Sequence, residues 1–222
     1  MMKPLGLFHP THALACGGVI FYYLNQCYYL DMEKITLIFI TICFLTQIIF
    51  WILYKRSKKK ITQNKGGWLM RTLAIIIVGS FIFLREQITS IIPFFTLELW
   101  DYSLWTGILA DVIVLLGMSL MIWSRITLGE NWSANVLVKE KHELITKGPY
   151  TYVRHPIYSG LIMMILGIAI YSGSFSEVFL FVLFFFGAYY KGIKEERLLT
   201  KHFPEEYPNY KKQVKALIPF IF

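Results

Sequence analysis

Residues 148–160 read GPYTYVRHPIYSG, and this stretch decides how the rest of the chain is read. It lies between a charged, polar segment and a return into apolar sequence. Gly148-Pro149 is a turn signal. Pro156 suits the first turn of a helix, where the N–H it lacks would have no partner anyway. Arg154 and His155 are therefore expected at a helix entrance, where backbone N–H groups and the positive end of the helix dipole favour an anion. Tyr150, Tyr152 and Tyr158 add flat, amphipathic walls. The stretch describes a small-molecule pocket at a membrane surface. Basic residues and tyrosines also gather at the ends of spanning helices as plain anchors, so both readings stand at this point.

Composition supplies the membrane. Of 222 residues, 56% are hydrophobic, 17% aromatic and 16% charged, and the mean hydropathy is +0.53. Soluble domains carry about a quarter charged residues. Several apolar runs approach the roughly 20 residues that cross a bilayer. An all-α integral membrane protein of about six transmembrane helices is expected. The spans fall near 11–30, 35–54, 69–84, 104–124, 157–171 and 175–190, with an acidic turn at Asp31-Met32-Glu33-Lys34 and a second turn at Ser172-Gly173-Ser174. The first arm of the last hairpin is short, so tilt or local adjustment is expected there. Asp111 is the one carboxylate expected inside a span, as a hydrogen-bonded packing residue. A strand-like piece is expected near 135–139.

The net charge of +8 does not indicate nucleic acid, because the basic residues lie between apolar runs and lack interleaved aromatics. Segments 55–71, 125–154 and 191–222, with Lys3, hold 20 of the 22 Lys and Arg. The positive-inside rule then places both termini, the 148–160 loop and the basic tail in the cytoplasm. Contact with anionic membrane lipids is a further reading of the 55–71 run. Cys16, Cys27 and Cys43 stand in apolar sequence without metal-like spacing, so neither a disulfide framework nor a metal site is expected. No removable signal peptide is expected.

A second cluster opens the tail. Glu195-Glu196 stands just beyond the last span, where cations are the rule. Lys191 with Glu195 at i,i+4 is a surface pairing worth only about 0.2–0.5 kcal/mol. Turned inward, the two carboxylates would accept hydrogen bonds from ribose hydroxyls or pair with an ammonium group. Combined with Arg154, His155 and the tyrosines, they describe a zwitterionic nucleoside ligand.

GPYTYVRHPIYSG, followed after an apolar hairpin by EERLLTKHFPEEYPNYKKQV and a terminal IP, resembles the catalytic core of the isoprenylcysteine carboxyl methyltransferase family, and with it the membrane phospholipid methyltransferases. The resemblance covers roughly residues 125–219. It implies S-adenosylmethionine as cofactor, a cytoplasmic cofactor-binding loop, a C-terminal helical tail, and a lipid or prenylated acceptor arriving sideways from the bilayer. By position it implies cofactor contacts from Gly148, Pro149, Tyr150, Val153, His155, Pro156, Tyr158, Glu195 and Glu196, and catalytic roles for Arg154 and Glu196. Tyr207 and Tyr210 match the family's tail. Where the family often has Phe-Gly, this chain has Phe203-Pro204, which fixes φ and alters the tail turn. Two parts are expected: four N-terminal spans in 1–124 and a catalytic core in 125–222.

Methyl transfer from a sulfonium asks the protein for alignment and exclusion of water. A carboxylate acceptor needs no base, and Arg154 would orient it. An amine acceptor, as in a phospholipid N-methyltransferase, must lose a proton, to His155 or a glutamate. Two other classes compete. A sterol-type membrane reductase would use NADPH, but the 2′-phosphate sits poorly with Glu195-Glu196. A non-enzymatic scaffold or transporter would bind no nucleoside. The compact size fits a bacterial inner membrane better than the endoplasmic reticulum.

Overall fold

The computed structural model describes residues 16–54, 94, 97–129 and 144–219, and of residues 16–30 the backbone alone. The elements are α1 (Cys16–Leu53), α2 (Leu104–Leu128), a 3-10 turn (Gly148–Thr151), α3 (Pro156–Ser172), α4 (Phe175–His202) and α5 (Glu206–Gln213). The described structure is helical, with two isolated backbone bridges, Glu98 to Ser174 and Val153 to Lys215. Three helices are long and apolar enough to cross a membrane, within Asp31–Trp51, Leu104–Leu128 and Phe175–His202. The expected third span, the 55–71 basic run, the strand-like piece and most of the interfacial piece before Trp100 lie outside the described residues.

The expected turn at Asp31-Met32-Glu33-Lys34 does not form: α1 runs through it as one helix of 38 residues. The physical reason is local. No Gly or Pro stands between Val19 and Leu53, and Met, Glu and Lys are good helix formers. Lys34 pairs with Asp31 at 3.5 Å along the helix surface. Acidic residues alone do not break a helix. At 1.5 Å per residue α1 is about 57 Å long, well beyond the apolar thickness of a bilayer. One continuous helix stands where two spans were expected.

Helices α1 and α2 run parallel. Thr36 Oγ1 meets the Tyr102 hydroxyl at 3.2 Å at one end. At the other, the Arg125 guanidinium lies over the rings of Trp51 and Tyr54. Between them Ile40, Cys43, Ala110 and Val114 are buried in one core. Cys43 is a free thiol used as a packing residue, as expected, and Asp111 Oδ1 is buried in the same region without a hydrogen-bond partner among the described residues.

Helix α3 returns antiparallel against α2, with the two backbones close together. A methyl group added at Gly117 would stand 2.5 Å from the Gly160 carbonyl, and one at Gly160 2.6 Å from the Gly117 carbonyl. Small residues let backbones approach where lipid offers no hydrophobic drive between helices. The seam has a consequence for the expected division of the chain. Residues 124 and 125, where that division falls, both lie within α2, which packs on α3.

The α3–α4 hairpin turns where expected. Gly173 ends α3 in the left-handed conformation, φ 62°, which L side chains avoid. Its N–H bonds to Ala169 O, and its own carbonyl accepts from Leu99 N at 2.8 Å. With 17 residues, α3 is about 26 Å long, the short arm the sequence implied. Helix α4 leaves its apolar stretch at Tyr190 and continues without a break to His202, so Glu195-Glu196 lies on the polar extension of that helix.

Candidate functional site

The loop that the sequence singled out closes the end of the helical bundle where α2 finishes and α3 begins. Gly148 has φ 63°, and Pro149 and Tyr150 are buried in the 3-10 turn that follows. Pro156 is the first residue of α3, with His155 as its N-cap, as the sequence predicted.

The backbone N–H groups of that entrance are taken by the chain itself. Arg154 N donates to Lys215 O at 2.8 Å and His155 N to Ala216 O at 3.0 Å. Ser159 Oγ donates to Leu217 O at 2.6 Å. The segment after α5 thus lies alongside residues 153–155 like a short parallel strand. Ala216 and Leu217 are buried with Ile162 and Ala188 between α3 and α4. Burying the leucine side chain stabilises this docking by about 2 kcal/mol.

Arg154 and Glu196, 42 residues apart, form the centre. Glu196 Oε1 accepts from Arg154 Nε at 2.8 Å and pairs with Nη2 at 2.6 Å. It also meets His155 Nε2 at 3.3 Å. Its Oε2 pairs with Lys211 Nζ of α5 at 2.6 Å. The remaining amine of Arg154, Nη1, donates to the carbonyls of Val214 and Lys211. One guanidinium therefore ties the loop, α4 and the tail together, as a planar five-donor group can. Burial pushes the Glu196 carboxyl up, but hydrogen bonds from His155, Lys211 and Arg154 outweigh it and hold it at about 2. The carboxylate is charged at all working pH values.

Glu195 faces the other edge of His155, with Oε2 3.6 Å from Nδ1, and accepts from the Tyr158 hydroxyl. The His155 and Tyr158 rings stack with centroids 5.6 Å apart. Gly192 gives α4 its closeness here, since an added methyl would touch the His155 ring at 3.2 Å. Tyr210 donates to Tyr150 O at 2.5 Å. Burial raises the phenols of Tyr150, Tyr207 and Tyr210 above their ordinary value, so all three stay protonated and able to donate.

The structure thus brings together Tyr150, Arg154, His155, Tyr158, Glu195 and Glu196, and buries Val153 and Pro156 beneath them. Gly148 lies a turn away, against Thr127. Phe203-Pro204 breaks α4 from α5, and Tyr207 is still buried at 1% exposure. The proline does not displace that ring from the core. Lys211 and the tail carbonyls escaped sequence reasoning. Lys211 sits in Tyr-Lys-Lys-Gln, which carries no signal beyond a basic helix surface.

Beside this polar cluster is an apolar cavity of about 350 Å³. Leu120, Val153, Ile162, Met163, Leu217 and Pro219 line it, with Tyr152 at its edge. Residues of α2, α3 and the tail line it, and so does Val153, the neighbour of Arg154 in sequence.

Residues 105–206 match the sequence model of the phospholipid methyltransferase family. The match contains both the 148–160 loop and Glu195-Glu196. The protein-S-isoprenylcysteine O-methyltransferase of Schizosaccharomyces pombe is 35% identical over 109 residues, 48% of this chain and 46% of its own. An uncharacterized protein of Bacillus subtilis, YpbQ, is 34% identical over 82 residues, 37% of this chain and 48% of its own. A solved structure of the eukaryotic intramembrane Ras methyltransferase ICMT covers 72% of this chain and 55% of that one, with 23% identity and a TM-score of 0.49. The chain spans about half the length of these two curated relatives. The resemblance carried by GPYTYVRHPIYSG and the Glu-Glu tail therefore holds: this chain is similar to the isoprenylcysteine O-methyltransferases, and its residues 105–206 match the sequence model of the phospholipid methyltransferases.

Proposed function

We propose that this chain is an S-adenosylmethionine-dependent membrane methyltransferase acting on a lipidic acceptor, in the manner of an isoprenylcysteine carboxyl O-methyltransferase. The observation that carries this reading is the convergence of Arg154-His155 and Glu195-Glu196. These are two sequence-distant pairs, one of basic side chains and one of carboxylates, at one end of the bundle next to an apolar cavity. The donor set fits the cofactor. Two carboxylates suit hydroxyls and an ammonium group, and Tyr150, Tyr158 and the His155 ring offer flat contacts. When bound, S-adenosylmethionine supplies an electrophilic methyl group.

Glu196 and Arg154 are the proposed catalytic pair. Arg154 fixes Oε1 of the carboxylate, and Oε2 faces the half-exposed Lys211, so Oε2 is the oxygen open to a ligand. An acceptor carboxylate reaches the guanidinium by replacing the carbonyl of Val214 or Lys211 on Nη1. Gly148, Pro149, Tyr150, Val153, His155, Pro156, Tyr158 and Glu195 shape the cofactor side. The apolar cavity takes part of the acceptor's hydrocarbon chain, which stays in contact with the bilayer.

The basic segments 55–71 and 191–222 put this end of the bundle in the cytoplasm. Residues 125–222, working with α2, make the catalytic core, and the earlier helices anchor it. A bacterial inner membrane suits the compact chain.

Binding of S-adenosylhomocysteine to the purified protein in detergent tests the reading, with Glu196→Ala and His155→Ala beside wild type. Saturable binding, weakened in both folded variants, is expected. Folded wild type that binds NADPH and not S-adenosylhomocysteine would replace this reading with a reductase. Methyl incorporation from labelled cofactor into prenylcysteine, and not into phosphatidylethanolamine, would separate carboxyl O- from amine N-methylation.

A further inference from the structure

Glu196 has three cationic or hydrogen-bonding neighbours, and they are not equivalent. Arg154 is 9% exposed and bound on every side. His155 is 8% exposed and wedged between two carboxylates. Lys211 is 51% exposed, its ammonium group lies 2.6 Å from Oε2 of a carboxylate that is itself 7% exposed, and it makes no other ion pair among the described residues. A lysine is a flexible, strongly hydrated point charge. Its side chain can swing into water while the α5 backbone keeps its bonds. Arg154 cannot leave without freeing the tail.

We infer that Lys211 is an internal stand-in for the ammonium group of the ligand: it holds Glu196 Oε2 and is displaced by an incoming cation. This inference rests on the nucleoside-zwitterion reading of the site. The contact gives the second oxygen of a buried carboxylate its own cation. Removing the partner of a buried charge is costly, and Lys211 keeps one in place. It also makes Lys211 a specificity-determining residue. Only a ligand carrying its own cation at that position exchanges with it evenly. A ligand without one must leave Lys211 where it is, or strip Oε2 of its partner.

The experiment compares two probes on three proteins, by calorimetry in detergent. S-Adenosylhomocysteine carries the ammonium group, and 5′-methylthioadenosine lacks the amino-acid part. The proteins are wild type, Lys211→Met and Lys212→Met. In Lys211→Met, S-adenosylhomocysteine no longer competes with a resident cation, and its Kd should fall roughly tenfold, the worth of one charge-assisted bond. The Kd of 5′-methylthioadenosine should stay within about twofold of wild type on the same argument, since it does not exchange with the lysine. Lys212→Met, with the same change in net charge, should leave both unchanged. Equal tightening of both probes would mean that Lys211 merely closes the tail, and would overturn the inference. Equal tightening in Lys212→Met would do so too, by assigning the effect to the general field. Weaker S-adenosylhomocysteine binding in Lys211→Met would mean that the lysine holds the ligand's carboxylate, again against the inference. If neither probe binds folded wild type, the nucleoside reading itself fails, and that result is distinct from the other three. A matching thermal melt confirms that Lys211→Met is folded. Lys211→Gln gives a second variant with the same expected direction.

Discussion

Replacing Glu196 by glutamine keeps the shape of the side chain and removes its charge. Three partners then lose a carboxylate: Arg154 at 2.6 and 2.8 Å, His155 at 3.3 Å and Lys211 at 2.6 Å. Two routes give the cost. The carboxyl sits at about 2 in the folded chain instead of 4.5, and at about 1.4 kcal/mol per tenfold this corresponds to roughly 3 kcal/mol. Breaking a buried ion pair from one side costs about 3–5 kcal/mol. Glutamine still offers one oxygen to Arg154, and the arginine keeps its two tail carbonyls, so about 2–3 kcal/mol is expected. The loss falls on the docking of the tail. It should be read from hydrogen exchange at the amides of Arg154 and His155, which donate to Lys215 and Ala216. Protection there should drop roughly 30- to 150-fold, with little change in the middle of α2. The pH dependence follows with a definite sign. A depressed carboxyl contributes stability above its unfolded value, and that stability is lost as pH falls from 4.5 through about 2. Wild-type protection should weaken across that window, and Glu196→Gln should lack this component. Unchanged protection at both amides would refute the claim that Glu196 organises the site.

Four further outcomes follow from the same geometry. Gly160→Ala places a methyl 2.6 Å from the Gly117 carbonyl and the Met121 side chain and should cost about 1–3 kcal/mol, visible as a lower melting temperature in detergent. Gly187→Ala, which meets nothing within 4 Å, should be neutral or stabilising by up to about 1 kcal/mol. Tyr210→Phe removes the bond to Tyr150 O. It should cost about 0.5–1.5 kcal/mol and speed protease cleavage between α5 and the tail strand. Arg154→Lys keeps the charge but cannot hold Glu196 and the Val214 carbonyl together. It should lose most S-adenosylhomocysteine binding while the melting temperature of the apolar helices stays within a few degrees.

Pro156, Gly173 and the charge pattern made the α3–α4 hairpin legible, because each acts through local backbone chemistry. Asp31 to Lys34 misled for the converse reason. Charge was read as a turn, yet helix propensity at those residues is good and no breaker is present. The Arg154–Glu196 pairing could be anticipated only as two clusters on one side of a membrane. What the arginine does with its last amine depends on carbonyls of Lys211 and Val214, and a carbonyl has no sequence signature. Gly117 lies in a stretch that reads simply as apolar, and Gly160 closes the 148–160 motif without announcing a helix contact. There the information is the absence of a side chain, which hydropathy does not record.

The loop that donates Arg154 and the tail that receives it are separated by 60 residues, and both arms of a membrane hairpin lie between them. The polar centre therefore cannot assemble as the loop emerges during synthesis. It must wait until α3 and α4 are inserted and α5 has folded back. Closing so long an interval costs more entropy than any local turn, and non-local contacts form late. Until then Glu196 is a carboxylate without its arginine at the rim of the bilayer. Slow steps in the maturation of this protein should be sought at tail docking, after the helices are in place.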